Sequence, residues 1–403
     1  MRRSPELLLA LALALVVVLA ATIDGGGSVA VAAGDTTTTT APAAGPTTTT
    51  EPPTTTITTV DGPPSDQTTM TRVERIASAD ISPKSVRASG HGLVLAANMM
   101  YRHSATVYGQ DRELLATIPD SVDLADFGIT GHPGTSQGAP VESDFTADGR
   151  YAYVSNYSMY GSGFGPEATD SCTPDSGFDP SFVYRVDTTT MAVDQVIAVG
   201  TVPKFVRLTP DGSTLLVSNW CSWDLSVVDV ASARQVATIP IGRYPRGIAV
   251  SPDGSTAYVA AMGSDVIVKV DLATRETSTL SQSGDGPRHL EISPDGRYLY
   301  VSHDKDGTVA KVDTTTGAVI ARHHTGSRPR SLTISSDGTA IYVVNYESST
   351  VTKLATADLS VLDEVDTDHH PIGITYEPTT RTVWVACYVG TIIVFDDNTP
   401  ATG

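Results

Sequence analysis

Along most of the chain, short apolar runs alternate with polar turns at a fixed rhythm. In "GIAVSPDGSTAYVAAMGSDVIVKVDLATRETSTLS" (247–281), "GIAVS" and "TAYVAA" predict two strands joined by a Pro-Asp-Gly turn. "DVIVKVD" predicts a third strand and "TSTLS" a weaker fourth. Seven such units align on a proline, at Pro83, Pro140, Pro203, Pro245, Pro287, Pro329 and Pro371. From Pro203 onward they recur every 42 residues, while the first two gaps are 57 and 63. A period of this size built from strands alone is the signature of a repeat architecture. Four strands per unit describe one propeller blade, which cannot bury both faces unless others pack beside it. The pattern therefore predicts an all-β, seven-bladed β-propeller of four-stranded antiparallel blades over residues 71–398.

The ends of the pattern predict how the ring shuts. The last unit stops after its third strand, "TIIVFDD" (391–397), and "RVERIASADIS" just before Pro83 resembles the fourth strands elsewhere. Residues 72–77 are expected to pair beside 391–396, since open sheet edges would otherwise remain at both ends. The motif carried by "SPDGRYLYVSHDKDGTVAKVDTTTGAV" and its siblings resembles the YVTN-type β-propeller repeat proteins of the bacterial surface layer and YncE-like exported proteins. The resemblance covers about residues 72–397. It implies a surface or binding protein, with lactonases and lyases among related propellers, and it supplies no catalytic motif to carry over.

The N-terminus adds a destination. Arg2 and Arg3 precede an apolar run from Leu7 to Ala21, and Ala30-Val31-Ala32 offers a cleavage site. This reads as an export signal over 1–34, with an uncleaved anchor as the alternative. A Thr/Pro-rich segment over 35–70 follows and is expected to form an extended stalk, with a short tail at 399–403. A secreted or wall-associated location follows, with contact to a membrane only through an uncleaved signal.

The two long gaps mark insertions. One lies in "SVDLADFGITGHPGTSQGA" between the first and second units, the other in "YSMYGSGFGPEATDSCTPDSGFDPS" between the second and third strands of the second unit. Links between blades and second-to-third-strand loops emerge on one face of a propeller, so both should rise there side by side. Cys172 in the second insertion and Cys221 in the matching loop of the next unit are expected to form a disulfide. In the loop-entropy model it would be worth roughly 4 kcal/mol. Cys387, which ends a second strand, is expected to be a buried small side chain.

Charge then singles out one position. The residue after each proline is Lys84, Val141, Lys204, Arg246, Arg288, Arg330 and Ile372. Entering the innermost strand, these seven should circle the mouth of the axial channel. Five converging cations would attract a carboxylate, a phosphate or an acidic sugar. The alternative is that they splay into solvent or pair with Glu142, Asp144 or Glu291. Tyr101, Tyr157, Tyr160, Trp220, Trp223, Tyr346 and Tyr388 collect on the same face, with Trp220 and Trp223 the strongest candidates to border a ligand; packing of loop bases is the alternative. His289 is placed with the cations. His103, His132, His303, His369 and His370 map near this face, but none of the spacings is a metal-ligand motif. Asp170, Asp175 and Asp179 fit no calcium loop, and "GTSQG" around Ser136 falls in a Gly/Pro-rich loop with no nucleophile elbow. The repeated Asp-Gly pairs are turn formers on the other face.

The formal net charge of −19 argues against general binding to nucleic acid or an anionic membrane. The leading reading is an exported binding module, expected to be a monomer without a cofactor. Its ligand would be a small anion, a cell-envelope glycan or another surface protein. The alternatives are a lactonase- or lyase-like enzyme using His289, His303 or His370, and a structural surface protein.

Overall fold

A Ser/Thr-x-Asp-Gly turn joins the first two strands in five units. In each, the hydroxyl of Thr146, Thr209, Ser251, Ser293 or Ser335 donates to the aspartate two residues on, at 2.5–2.6 Å. The following glycine supplies the left-handed backbone, as at Gly296 with φ +74°. With its turn locked, each unit forms a four-stranded antiparallel sheet, as in Pro245–Val250, Thr256–Ala261, Val266–Asp271 and Thr277–Ser281.

The computed structural model describes residues 62–400. The expected export signal and most of the expected stalk lie outside the described residues. Seven sheets are present, numbered here as blades one to seven from Pro83 onward. The first strands of successive blades touch all the way round, the last meeting the first, so they line a common axis. Apolar side chains pack between neighbouring sheets: Leu216 and Val227 of blade three meet Ile248, Val259 and Val268 of blade four. Gly247 is required where two first strands come close, because a Cβ there would lie 2.8 Å from the Arg288 carbonyl oxygen.

The ring closes as the sequence predicts, over a longer span. Thr68–Ala77 pairs antiparallel with Thr391–Pro400, Arg72 opposite Phe395 and Ala77 opposite Thr391. The ordered chain thus begins before residue 71, with a single 3-10 turn at Ser65–Gln67. Val86, Val94 and Tyr108 of blade one pack on Trp384, Ile392 and Val394 of blade seven. A buried polar latch secures the strand. The Lys353 ammonium donates to Asp397 at 2.5 Å and to the Thr68 carbonyl and hydroxyl at 2.8 Å, and the Tyr342 hydroxyl donates to Asp397. Lys353 and Asp397 are fully buried.

Blade two departs from four strands. The first insertion adds a short strand, Ser121–Asp123, against the extended first strand Thr135–Phe145. "GTSQG" therefore lies at the start of a strand rather than in a loop, and Ser136 is buried, as no exposed nucleophile would be. The insertions do rise together: the ring of His132 stacks on Phe164 at 3.9 Å. Cys172 and Cys221 are disulfide-bonded, and Cys387 is buried.

Removing one member of a buried ion pair leaves the other charged and uncompensated. Asp397→Ala is expected to lower the unfolding free energy by about 3–5 kcal/mol in urea titration. A loss below about 1 kcal/mol would show that the latch does not hold the closing strand.

Candidate functional site

The residue after each blade's proline enters the innermost strand at the insertion-bearing face, and the ring geometry turns these positions toward one another. The charges of Arg246, Arg288, Lys204 and Arg330 all bear on Lys84. Lys204, Arg246 and Arg288 are each 5% exposed, so the cations neither splay into solvent nor lie far apart. Burial first, and then these four neighbours, push the Lys84 amine well below its ordinary range. Burial, Arg246 and Arg330 likewise push the Arg288 guanidinium down.

Three of the five have a carboxylate. Lys204 donates to Asp170 at 2.8 Å. Arg330 lies 3.3 Å from Asp304, without hydrogen-bond alignment, and shares that acid with Arg328, which donates to it at 2.8 Å; Arg246 lies 3.8 Å from Glu142. Among the described residues Lys84 and Arg288 have no acid within ion-pair distance, and the buried Nε of Arg288 has no hydrogen-bond partner. Burial raises the Glu142 carboxyl against the pull of Arg246 and Lys84. It also lowers Lys204 to about 8 despite Asp170.

A second ring lies over the cations. The residue that follows the second strand is Met99, Trp220, Met262, Asp304, Tyr346 or Tyr388, and its counterpart within the longer second strand of blade two is Tyr157. The Lys204 ammonium sits 4.3 Å from the Tyr157 ring centre and 5.3 Å from that of Trp220, and the Arg330 guanidinium sits 4.4 Å from that of Tyr346. The Trp220 indole donates to the Asp170 carbonyl at 2.9 Å, beside the disulfide. Trp223 does not join this group; it packs edge-on against Tyr244 and near Arg243.

Below the cations the channel is filled. His289 is one residue further in, edge-on to Phe205 at 5.0 Å and 3.7 Å from Glu291. Burial lowers its pKa. It therefore forms part of the floor rather than the mouth. Deeper still, Arg87 and Arg207 face Asp144 and Glu291 in a charge square: Arg87–Asp144 is 2.7 Å and Arg207–Glu291 is 3.3 Å. Asp144 and Glu291, expected as partners of the mouth cations, are spent here instead. Although burial opposes it, Arg207 and His289 hold Glu291 down to about 2. The square borders two cavities of about 380 and 250 Å³ on the turn-bearing face, where the acids and bases balance.

The remaining histidines do not converge. His303 accepts from or donates to Ser283 at 2.9 Å, and burial lowers it to about 4. His369 and His370 stack on each other, and His370 stacks on Tyr346 at 4.2 Å. Among the described residues no group of three or more His, Cys, Asp or Glu side chains could hold a metal.

Sequence reading missed Asp120. It occupies the position at the end of the fourth strand that holds Val199 or Ile241 in later blades, and it is buried against Asn156 and Gly138. Burial raises its carboxyl to about 8.

Two family models match parts of the chain, each spanning less than half of it. One is the lactonase, 7-bladed beta-propeller model over residues 164–323, and the other the cytochrome D1 heme domain model over residues 283–390. No curated relative matches. Among solved structures, a chain described as Kuenenia stuttgartiensis hydrazine synthase is 18% identical, with a TM-score of 0.62 over 79% of this chain and 96% of that one. A chain of a mitotic checkpoint complex is 14% identical, with a TM-score of 0.63 over 81% and 91%. Both likenesses show the fold alone. The residues here do not fit a heme: Phe205 and His289 fill the channel, while His303 is held by Ser283 and His370 lies against Tyr346.

An acid whose pKa rises on folding costs stability as pH climbs from its unfolded value to its folded one. For Asp120 that window runs from about 4 to about 8. Asp120→Asn is expected to flatten the decline of melting temperature across it, and to be the more stable protein at pH 9. An unchanged pH profile would show that Asp120 ionises freely in the fold.

Proposed function

We propose that this chain is an exported or wall-associated propeller that binds an anionic ligand at the cationic mouth on its insertion-bearing face. The observation that carries the reading is Arg288. It is a buried guanidinium without an acid partner among the described residues, surrounded by four further cations in a protein of net charge −19. Buried charges are ordinarily paired, and a guanidinium left bare at a mouth is suited to grip a carboxylate or phosphate. The aromatic and methionine rim would cover the apolar part of such a ligand. A small molecule or an acidic glycan end meets this description; nucleic acid does not, given the overall charge. The protein acts as a monomer in this reading.

The path of the described chain keeps clear of the mouth. Ser65 donates its backbone N–H to Asp337 in a turn on the opposite face, and Arg381 donates to the Pro63 carbonyl. The described chain thus enters on the turn-bearing face, away from the mouth. The disulfide fits an oxidising compartment.

A second reading has one observation in its favour. The Lys204 amine, lowered to about 8, is partly unprotonated at neutral pH and is available as a base or nucleophile. The stretch similar to the lactonase model contains Lys204, Arg246 and Arg288. Hydrolysis of a simple δ-lactone that disappears in Lys204→Met would support an enzyme, and no hydrolysis by the unaltered protein would remove that reading.

Only three tryptophans are present, one of them at the rim, so indole fluorescence can report binding. Titration with inorganic phosphate, citrate and polygalacturonate at low ionic strength is expected to give saturable binding for at least one. Combined replacement of Arg246, Arg288 and Arg330 by Ala should abolish it. Binding that survives the triple change, or no saturable binding by any probe, overturns the reading.

A further inference from the structure

The two loops that flank the ring closure depart from the other blades in opposite directions. In blades three to six the last residue of the second strand pairs with the residue five positions on, as Asn219 does with Asp224 and Asn345 with Thr350. In blade one the pair is Asn98 with Ser104, so that loop is one residue longer. In blade seven it is Cys387 with Thr391, so that loop is one residue shorter. The longer loop holds Tyr101 at φ +68°, an unfavourable backbone for a bulky residue, and leaves its side chain 85% exposed.

Between the two loops lies a cavity of about 400 Å³, within the range of about 300–1,000 Å³ usual for small-ligand sites. Blade one contributes Met100, Tyr101 and Arg102, blade seven Tyr388, and the link from the closing strand Ser78 and Ser82. Of the tyrosine, phenylalanine and tryptophan side chains among the described residues, two are exposed, Tyr101 and Tyr388, and both line this cavity. No carboxylate lines it, in a chain of net charge −19. Aromatic faces left in solvent suit the apolar face of a sugar ring, and hydroxyls and a guanidinium at the edge suit its oxygens.

The cavity adjoins the mouth. Tyr388 lies edge-on to Tyr346 at 6.3 Å, and Tyr346 covers the Arg330 guanidinium at 4.4 Å. Under the mouth, the channel between Glu142, Phe205, Arg207 and His289 holds about 10 Å³ of free volume, close to the room one water requires. A ligand longer than one unit therefore runs outward over the rim rather than down the axis.

We propose that this cavity is a sugar subsite, taking the ring next to the acidic end unit of a glycan whose charge is held at the mouth. The charged end rests on the anion-binding reading, and the ring subsite rests on the cavity itself. Of the ligands that reading admits, an acidic glycan uses both features and a small anion only one.

The test is calorimetric titration of the full chain with inorganic phosphate, galacturonate and trigalacturonate at constant ionic strength. Trigalacturonate is expected to bind at least about fivefold tighter than galacturonate. Tyr101→Ala should bring trigalacturonate to the affinity of galacturonate, and Tyr101→Phe should keep the gain, with near-ultraviolet circular dichroism checking the fold of each. If trigalacturonate gains nothing over galacturonate, or its gain survives Tyr101→Ala, the subsite fails while anion binding stands. The same follows if phosphate binds and neither sugar does. If trigalacturonate binding depends on Tyr101 yet survives replacement of Arg246, Arg288 and Arg330 by Ala, the subsite stands and the anion-binding reading fails. If none of the three binds, both fail.

Discussion

Every feature of the mouth depends on the last sheet being completed by the first strand. A propeller brings distant residues to one axis only while its ring is closed. Here closure rests on Thr68–Ala77 lying along Thr391–Pro400, secured by the buried Lys353–Asp397 pair. The pair ties three pieces of chain: Lys353 belongs to blade six, Asp397 to blade seven, and Thr68 to the entering strand. A buried ion pair adds little net stability over an apolar pair of the same shape, but it is specific about register. Slipping the strand by one residue would withdraw the Thr68 oxygens from Lys353 and turn the strand's side chains to the wrong face. The latch thereby fixes where blade one stands relative to blade seven, and with it the place of Lys84 among cations far away in sequence.

Closure then creates an electrostatic problem that the structure resolves in layers. At the mouth, positive charge exceeds negative. One step in, Phe205 and His289 pack edge-on across the channel, and further in Arg87, Arg207, Asp144 and Glu291 neutralise one another. The middle layer matters because a wet channel would screen the mouth from within. Burial first, and then the neighbouring cations, push Lys84 and Arg288 below their ordinary ranges. Concavity alone does not single out the mouth: two cavities border the charge square, and one of about 400 Å³ lies between the loops of Tyr101 and Tyr388. The two at the charge square have balanced acids and bases, and shape without chemistry is a weaker indication of a site.

Much of this was legible in the sequence because a repeat converts position within a unit into position on a ring. The proline spacing gave blade number, the residue after each proline gave the mouth, and the missing fourth strand gave the closure. The paired cysteines followed from neighbouring loops. What could not be read were contacts between units. Asp304 follows the second strand of blade five and reaches Arg330 of blade six, while Asp170 of the second insertion reaches Lys204 of blade three. Both acids lean onto the next blade, a displacement set by the twist and packing of sheets rather than by any pattern along the chain. His289 was misplaced for a related reason. A bulge between Pro287 and His289 shifts the register of that strand, and the side chain that counts as next to Arg288 in sequence falls one layer lower in the channel. Even so, Asp304 was discoverable as the lone acid at a position where every other unit has methionine or an aromatic residue.

The insertions fit the same logic. Most of the second insertion is loop, yet its cysteine is bonded to Cys221, its Asp170 carbonyl accepts from Trp220, and its Asp170 carboxylate caps Lys204. The Asp170 side chain is 72% exposed while that of Lys204 is 6% exposed, so the acid lies over the cation from outside. Lys204 and Tyr157 hold the Asp170 carboxyl down to about 2 against burial. It is therefore ionised at neutral pH, directly over the Lys204 ammonium. The loop thus subtracts one unit of charge from the mouth. An addition to one blade thereby alters the charge at the centre of the ring, and the disulfide fixes the loop that does so.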